Sequence, residues 1–248
     1  MKVLNRDVIK LIALILMLGN HIAYIFLPPG SFKAALLIDL GCSTAPIMCC
    51  FLVEGFYKTR SRRKYGQRLA AFALLSQLPF YLAFYPAHIK LYNVNMMGTL
   101  FLCFMMLCVL ESSWDERSRK MAIFLLFMAG CFCDWPVMAQ IFVLIFWRLH
   151  RVQEEGVAGR RDEVVSWFAV IGTYGMMEAL NALSEGAGTG QVLRSLDSMA
   201  GPVLAAILIL FFYNGKKART GGEFLKWFCY VFYPGHLLVL GLVRLLLR

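Results

Sequence analysis

Lys10 and His21 lie eleven residues apart in an otherwise apolar first segment, Val8 to Leu27. A helix turns 100° per residue, so eleven residues rotate about 1100°, roughly 20° past three full turns. Both side chains then share a face, about 16 Å apart along the axis. Ionisable groups inside a membrane span are costly and face a cavity or a partner, so they are functional hypotheses by default. A cation at the water's edge with an imidazole three turns deeper suits a long acyl-carrier molecule held at both ends. An imidazole withdrawn from water is neutral, and a neutral imidazole acts as a general base or accepts an acyl group. The plain alternative is a core histidine bonded to a neighbouring helix.

Other ionisable residues sit at comparable depth in apolar stretches. Glu54 lies near the inner end of the second span. It is placed either to orient an imidazole and take a proton, or to pair with Lys58 or Arg60. His236 follows Pro234, where an irregular helix turn frees backbone groups. His21, Glu54 and His236 are therefore the candidate catalytic residues. Asp39, Asp134 and Glu178 fall on the outer half, where an acceptor would enter; Asn95 is grouped with them as a substrate-binding candidate. The run Lys58-Thr59-Arg60-Ser61-Arg62-Arg63-Lys64, with Arg68, Lys216 and Lys217, has the guanidinium forks and ammonium groups that grip phosphates such as those of coenzyme A. Ordinary cytoplasmic charge docked on anionic lipid accounts for the same residues.

These residues need elements to position them. The chain has 248 residues, is 60% hydrophobic and has a mean hydropathy of +0.65. Charged residues make up 16%, against about 25% in ordinary soluble domains. Several segments are long enough to cross roughly 30 Å of hydrocarbon. The expectation is an all-α, polytopic transmembrane bundle of about nine spans, one domain over residues 1–248, with a cytoplasmic N-terminus. Met1 to Leu27 has the basic start and apolar run of a leader, but the run is long and no small-residue cleavage site follows, so it reads as a retained helix.

The net charge of +10 follows topology, not nucleic acid. In the nine-span arrangement, twenty of the 25 basic residues, from Lys2 and Arg6 to Lys217, Arg219 and Lys226, fall on one side. Lys33, Lys90, Arg194, Arg244 and Arg248 fall on the other. That is the positive-inside rule. All eight cysteines sit in apolar stretches, without zinc-site spacing, and read as packed thiols; no metal is expected.

The predicted spans are Val8–Leu27, Ala34–Tyr57, Leu69–Tyr85, Met96–Leu110, Met121–Cys133, Trp135–Trp147, Val164–Leu183, Met199–Tyr213 and Phe224–Leu247. Between the third and fourth lies a short outer loop with His88. The fifth and sixth are short, with Asp134 at the apex between them. The stretch Lys58 to Arg68 is expected as a basic loop, and Asn214-Gly215-Lys216-Lys217 as a tight polar turn. No internal repeat supports an inverted-repeat transporter.

Several fragments carry a resemblance together. They are Lys10-Leu-Ile-Ala-Leu-Ile-Leu-Met-Leu-Gly-Asn-His21, Leu52-Val-Glu-Gly-Phe-Tyr-Lys-Thr-Arg60 and Leu75-Ser-Gln-Leu-Pro-Phe80. Tyr92-Asn-Val-Asn95, Tyr213-Asn-Gly-Lys216 and Phe228-Cys-Tyr-Val-Phe-Tyr-Pro-Gly-His236 complete the set. In this order they resemble the TraX family of multi-pass bacterial membrane proteins, named for a protein that acetylates the N-terminus of conjugative pilin. That family is similar in turn to the acyltransferase-3 group, whose first helix carries a basic residue, ten intervening residues and a histidine; Lys10 and His21 match. The resemblance implies acetyl-coenzyme A as donor and transfer at the bacterial cytoplasmic membrane. Three positions depart from the expected pattern: Asn20 where Asp precedes the histidine, Gln77 in place of Glu, and Gly235 in place of Leu.

The first reading is thus a membrane acyltransferase moving acetyl from acetyl-CoA to an envelope acceptor. Lys10, Arg60, Arg62, Arg63, Lys64, Arg68 and Lys216 would meet the donor's phosphates. The acceptor stands open between a protein N-terminus, a sugar and a lipid headgroup. The alternative is a proton-coupled or solute transporter using His21, Glu54, Asp134, Glu178 and His236. Lys10 separates the two, because a transporter has little use for a cation at the helix mouth.

Overall fold

A computed structural model describes residues 2–85, 93–184, 186, 188, 196–218 and 221–247. His88, Lys90, Tyr92, Arg194, Arg219 and Arg248 lie outside them. The described residues are helical, with two isolated parallel bridges and no strand. Two compact units emerge, one from residues 1–48 with 151–229, the other from 49–150 with 230–248.

In the first unit, α1 runs Arg6–Phe26. It begins two residues before the predicted span because Asn5 caps it, its side-chain oxygen accepting from the Asp7 and Val8 N–H groups at 3.0 Å each. The second predicted span divides into α2 (Phe32–Gly41) and α3 (Thr44–Lys58), with a break at Cys42 and Ser43; α3 begins in the first unit and its residues from Cys49 on belong to the second. Proline has no N–H and clashes with the preceding turn, and only the first turn of a helix tolerates both. The break delivers that, since it makes Pro46 the third residue of α3. Thr44 Oγ1 donates to the Ala13 carbonyl at 2.9 Å, tying the break to α1.

α8 covers Arg160–Ser184, and α9, Leu196–Phe212, is a composite of a 3₁₀ turn, an α segment and a closing π turn. α9 meets α2 at Gly201, where a Cβ would stand 2.3 Å from the Asp39 carbonyl oxygen and 2.8 Å from the Ser43 nitrogen.

In the second unit, α4 spans Arg62–Phe84, seven residues longer at its start than the predicted span. Ser61 caps it through the Lys64 N–H at 3.3 Å. The expected basic loop is therefore mostly the first turns of a helix. α5, Met96–Leu110, coincides with its predicted span. α6 (Glu116–Gly130) and α7 (Met138–Glu154) replace the two 13-residue spans, each shifted from the expected bounds. α6 starts early because Asp115 Oδ2 accepts the Ser118 N–H at 2.9 Å; those backbone N–H groups hold the Asp115 carboxyl below its ordinary range.

α10, Gly222–Leu246, contains Pro234 and begins in the first unit before entering the second. Within the second unit, Arg244 Nη1 donates to the Ala83 carbonyl at 2.6 Å. Gly241 allows that approach, since a Cβ there would lie 3.0 Å from the Ala83 nitrogen.

Among the described residues, three helices are long and apolar enough to cross a membrane: Arg6–Phe26, Phe32–Lys58 (α2 with α3) and Gly222–Leu246. Met96–Leu110 and Leu196–Phe212 are shorter apolar helices. Large apolar side chains remain outside on several of them, among them Ile15, Leu36, Met105 and Val239, as befits helices with an apolar surrounding.

Gly201→Ala tests the close approach in the first unit. Backbone atoms cannot rotate aside as a side chain can, so the substitution is expected to cost roughly 1–3 kcal/mol. Thermal unfolding of the detergent-solubilised protein would measure it; an unchanged midpoint would contradict the packing described.

Candidate functional site

The mouth of α1 gathers charge from distant parts of the chain. Lys10 is half-buried one turn beyond Arg6, and His21, also half-buried, stands three turns deeper on the same uninterrupted helix. The predicted polar turn folds against this end. Leu4 N–H donates to the Phe212 carbonyl and Asn214 N–H to the Leu4 carbonyl, both at 2.9 Å, forming a parallel bridge between Leu4 and Tyr213. Arg6 N–H then donates to the Lys216 carbonyl at 2.9 Å. The buried Asp7 carboxylate accepts the Ala218 N–H at 2.8 Å. Lys10 and Lys216, assigned separately from the sequence, are thus carried by two segments stitched together. The Cys229 thiol of α10 lies within electrostatic reach of Lys10, Asp7 and Arg6.

Further along the first unit, two acceptor-site candidates come together. Asp39 of α2 and Glu178 of α8 both act electrostatically on Cys42, whose thiol hydrogen-bonds the Tyr174 hydroxyl. Tyr174 also bonds Ser198, and Asp197 lies within reach of Asp39. Beside His21, Asn20 Nδ2 donates to the Ile38 carbonyl at 3.0 Å, fixing α1 against α2. Sequence reasoning missed Tyr174. Its spacing of four from Glu178, one helix turn, was the available signal.

The second unit holds the remaining candidates. His236 is buried, and its Nδ1 lies 2.7 Å from the Phe232 carbonyl. A carbonyl only accepts, so Nδ1 carries the proton and Nε2 is the basic nitrogen. The Tyr233 ring meets His236 edge-on at 5.7 Å, and its hydroxyl accepts the Met96 N–H at 3.1 Å.

Asp134 lies in the connection between α6 and α7, within electrostatic reach of Tyr233. Its N–H donates to the Val94 carbonyl at 2.7 Å, and its carbonyl accepts from Thr99 Oγ1 at 2.7 Å. Trp135 and Val137, on either side of Pro136, have φ of 58° and 61°, a costly region for bulky and β-branched residues. Asn95 is fully buried. Its Nδ2 donates to Gln77 Oε1 at 2.6 Å and to the Ala73 carbonyl at 2.7 Å, while its Oδ1 caps α5.

Glu54 pairs with Lys58 at 2.9 Å, the interfacial pairing foreseen as its alternative role. Arg60, Arg62, Arg63 and Lys64 are exposed. Arg62 covers the Phe56 ring at 4.1 Å, and the half-buried Arg68 lies 5.7 Å from the Tyr65 ring. Arg68 Nε is buried without a hydrogen-bond partner, so that N–H is suited to an anion. Sequence reasoning overlooked Glu111, whose Oε1 accepts from both Tyr57 and Trp147 at 2.7 Å, with the Tyr57 ring 3.8 Å from that of His150. Among the described residues no group of three or more His, Cys, Asp or Glu side chains is arranged to hold a metal.

The family described as "TraX protein" matches residues 5–244, from the cap of α1 to Arg244. The chain belongs to the TraX family. It is also similar to a protein of Dichelobacter nodosus named "Probable fimbrial assembly protein FimC, serogroup H1". The two are 31% identical over 254 residues, covering 97% of this chain and 96% of that protein. No solved structure matches. The TraX match takes in every candidate residue above, and both segments that meet at the mouth of α1.

Asn95→Ala would remove the side-chain donor from Gln77 Oε1, which keeps the backbone N–H of residue 95, and from the Ala73 carbonyl, and would strip the cap from α5. Each lost hydrogen bond costs about 0.5–1.5 kcal/mol and a lost cap about 1 kcal/mol. The expected outcome is a clear fall in unfolding temperature; a variant as stable as the parent would mean the network carries no load.

Proposed function

We propose that this TraX-family chain is a membrane-embedded acyltransferase that moves an acetyl group from acetyl-coenzyme A to an acceptor of the bacterial cell envelope. The observation that carries this reading is the mouth of α1: Lys10 and Lys216 on stitched segments, with His21 three turns deeper on the face that Lys10 shares. A donor with phosphates at one end and a thioester at the other has the length such a face serves. Within the second unit, Arg60, Arg62, Arg63 and Lys64 are exposed cations and Arg68 has a buried N–H, the kinds of group to which phosphate oxygens bind.

In the proposed step His21 takes the proton from the acceptor's N–H or O–H, and the freed lone pair attacks the thioester carbonyl. The carbon–sulfur bond then breaks, and the coenzyme A thiolate leaves and recovers a proton from the imidazolium. His236, with a basic Nε2, and Glu54 are the other residues able to move a proton. Asp39 and Glu178, near Cys42 and Tyr174 in the first unit, are offered as contacts for the acceptor; Asp134 and Asn95, near Tyr233, are polar groups of the second unit. The name of the D. nodosus relative favours a subunit of a surface fibre over a sugar or lipid headgroup. The long apolar helices support a multi-pass location in the cytoplasmic membrane, and the clustering of basic residues supports a cytoplasmic N-terminus.

Coenzyme A should raise the unfolding temperature of the purified protein, and Lys10→Ala should weaken that effect by roughly 10- to 100-fold in concentration, the worth of one charged hydrogen bond. His21→Ala should keep the stabilisation and lose coenzyme A release from acetyl-coenzyme A by at least about 100-fold. Absence of any coenzyme A effect, or a His21→Ala variant as active as the parent, would end this reading.

A further inference from the structure

Asp7 is the odd residue at the mouth of α1: a buried carboxylate on a helix start that also carries Arg6 and Lys10, bonded to the turn that carries Lys216 and Lys217. A site for phosphate gains nothing from a neighbouring negative charge, so the carboxylate must do something the cations cannot. Its Oδ2 accepts the Ala218 N–H at 2.8 Å, the last of four hydrogen bonds joining residues 4–7 to residues 212–218. Its Oδ1 lies 3.9 Å from Arg6 Nη2. The turn it holds is shaped locally as well. Asn214 Oδ1 accepts the Lys216 N–H at 2.9 Å, and Gly215 adopts φ 75°, which favours glycine. Lys216 and Lys217 are exposed and on a short turn, so their position depends on what ties the turn down. Without the Asp7 bond, Ala218 is the first residue free to peel away from α1.

We propose that Asp7 is a positioning residue: it holds the 213–218 turn against the start of α1, so that Arg6, Lys10 and Lys216 form one site for the phosphates of the acyl donor. This rests on the acyltransferase reading and adds two residues to it. Arg6 becomes a second cation on the face of Lys10, four positions away and hence one turn apart. Asp7 acts through Lys216 and touches no ligand. The arrangement selects a donor by its nucleotide phosphates rather than by its pantetheine arm. Preorganised cations lose less on binding than lysines that must be gathered from solution.

The experiment uses the full chain in detergent, with thermal stabilisation titrated by coenzyme A, by adenosine 3′,5′-diphosphate and by pantetheine. The parent should respond to the two phosphate-bearing probes and not to pantetheine. Arg6→Ala should weaken both responses about tenfold. Asp7→Ala should do likewise, whereas Asp7→Asn, which keeps an acceptor for the Ala218 N–H and removes a negative charge, should bind at least as tightly as the parent. Ala218→Pro deletes the donor from the other side without touching α1, and should weaken both responses about tenfold, which keeps the test open where Asp7→Ala fails to fold. If the parent binds coenzyme A and Ala218→Pro binds it equally well, the positioning role is overturned and the acyltransferase reading survives. It is likewise overturned if Asp7→Asn is as weak as Ala218→Pro. If the parent ignores coenzyme A, both fall.

Discussion

A polar group buried among apolar helices must be met from within the chain, because neither lipid nor core offers it water. Nearly every polar side chain placed in the interior does this for a neighbour's backbone. Asn20 meets the Ile38 carbonyl, Thr44 that of Ala13, Asn95 that of Ala73, Thr99 that of Asp134 and Gln140 that of Leu126. Helix starts obey the same demand, with Asn5, Ser31, Ser61, Asn95 and Asp115 each accepting orphan N–H groups. Lys10 and His21 stand three turns apart on one face of α1, both half-buried and both ionisable.

The same demand decides what was legible in the sequence. α5 was readable end to end because Asn95 and Glu111 frame an unbroken apolar run. α4 was misjudged at its start, where Arg62, Arg63 and Lys64 read as a loop; a serine cap and good helix formers outweigh the expectation that basic runs lie outside elements. The second span was read as continuous although Pro46 sat within it, and the structure moves the break upstream until the proline needs no donor. Two β bridges escaped notice because single pairings between remote segments leave no period in the sequence.

The candidate site was legible in its parts and not in its assembly. The Lys10–His21 spacing and the Tyr213-Asn-Gly-Lys216 fragment could each be picked out, but nothing local says that they meet. Asp7 and Ala218, which complete the junction, are 211 positions apart. Glu111 was invisible for a different reason. A lone acid at a helix end reads as an interfacial charge, and only the structure reveals the two donors, Tyr57 and Trp147, that converge on one of its oxygens.

The departure at position 20 now has a physical account. An aspartate before the histidine would supply a counter-charge for an imidazolium. Asn20 supplies none and instead donates to the Ile38 carbonyl, and a Cβ on Gly41 would come 2.3 Å from its own Cβ. Position 20 therefore serves the α1–α2 contact and is closed to a second task. If His21 charges during transfer, its counter-charge must come from another residue. In the first unit the carboxylates grouped about Cys42 and Tyr174 are Asp39 and Glu178, with Asp197 beside Asp39. Carboxylates of this kind are able to orient an incoming N–H or O–H, the part proposed for Asp39 and Glu178 on the acceptor side.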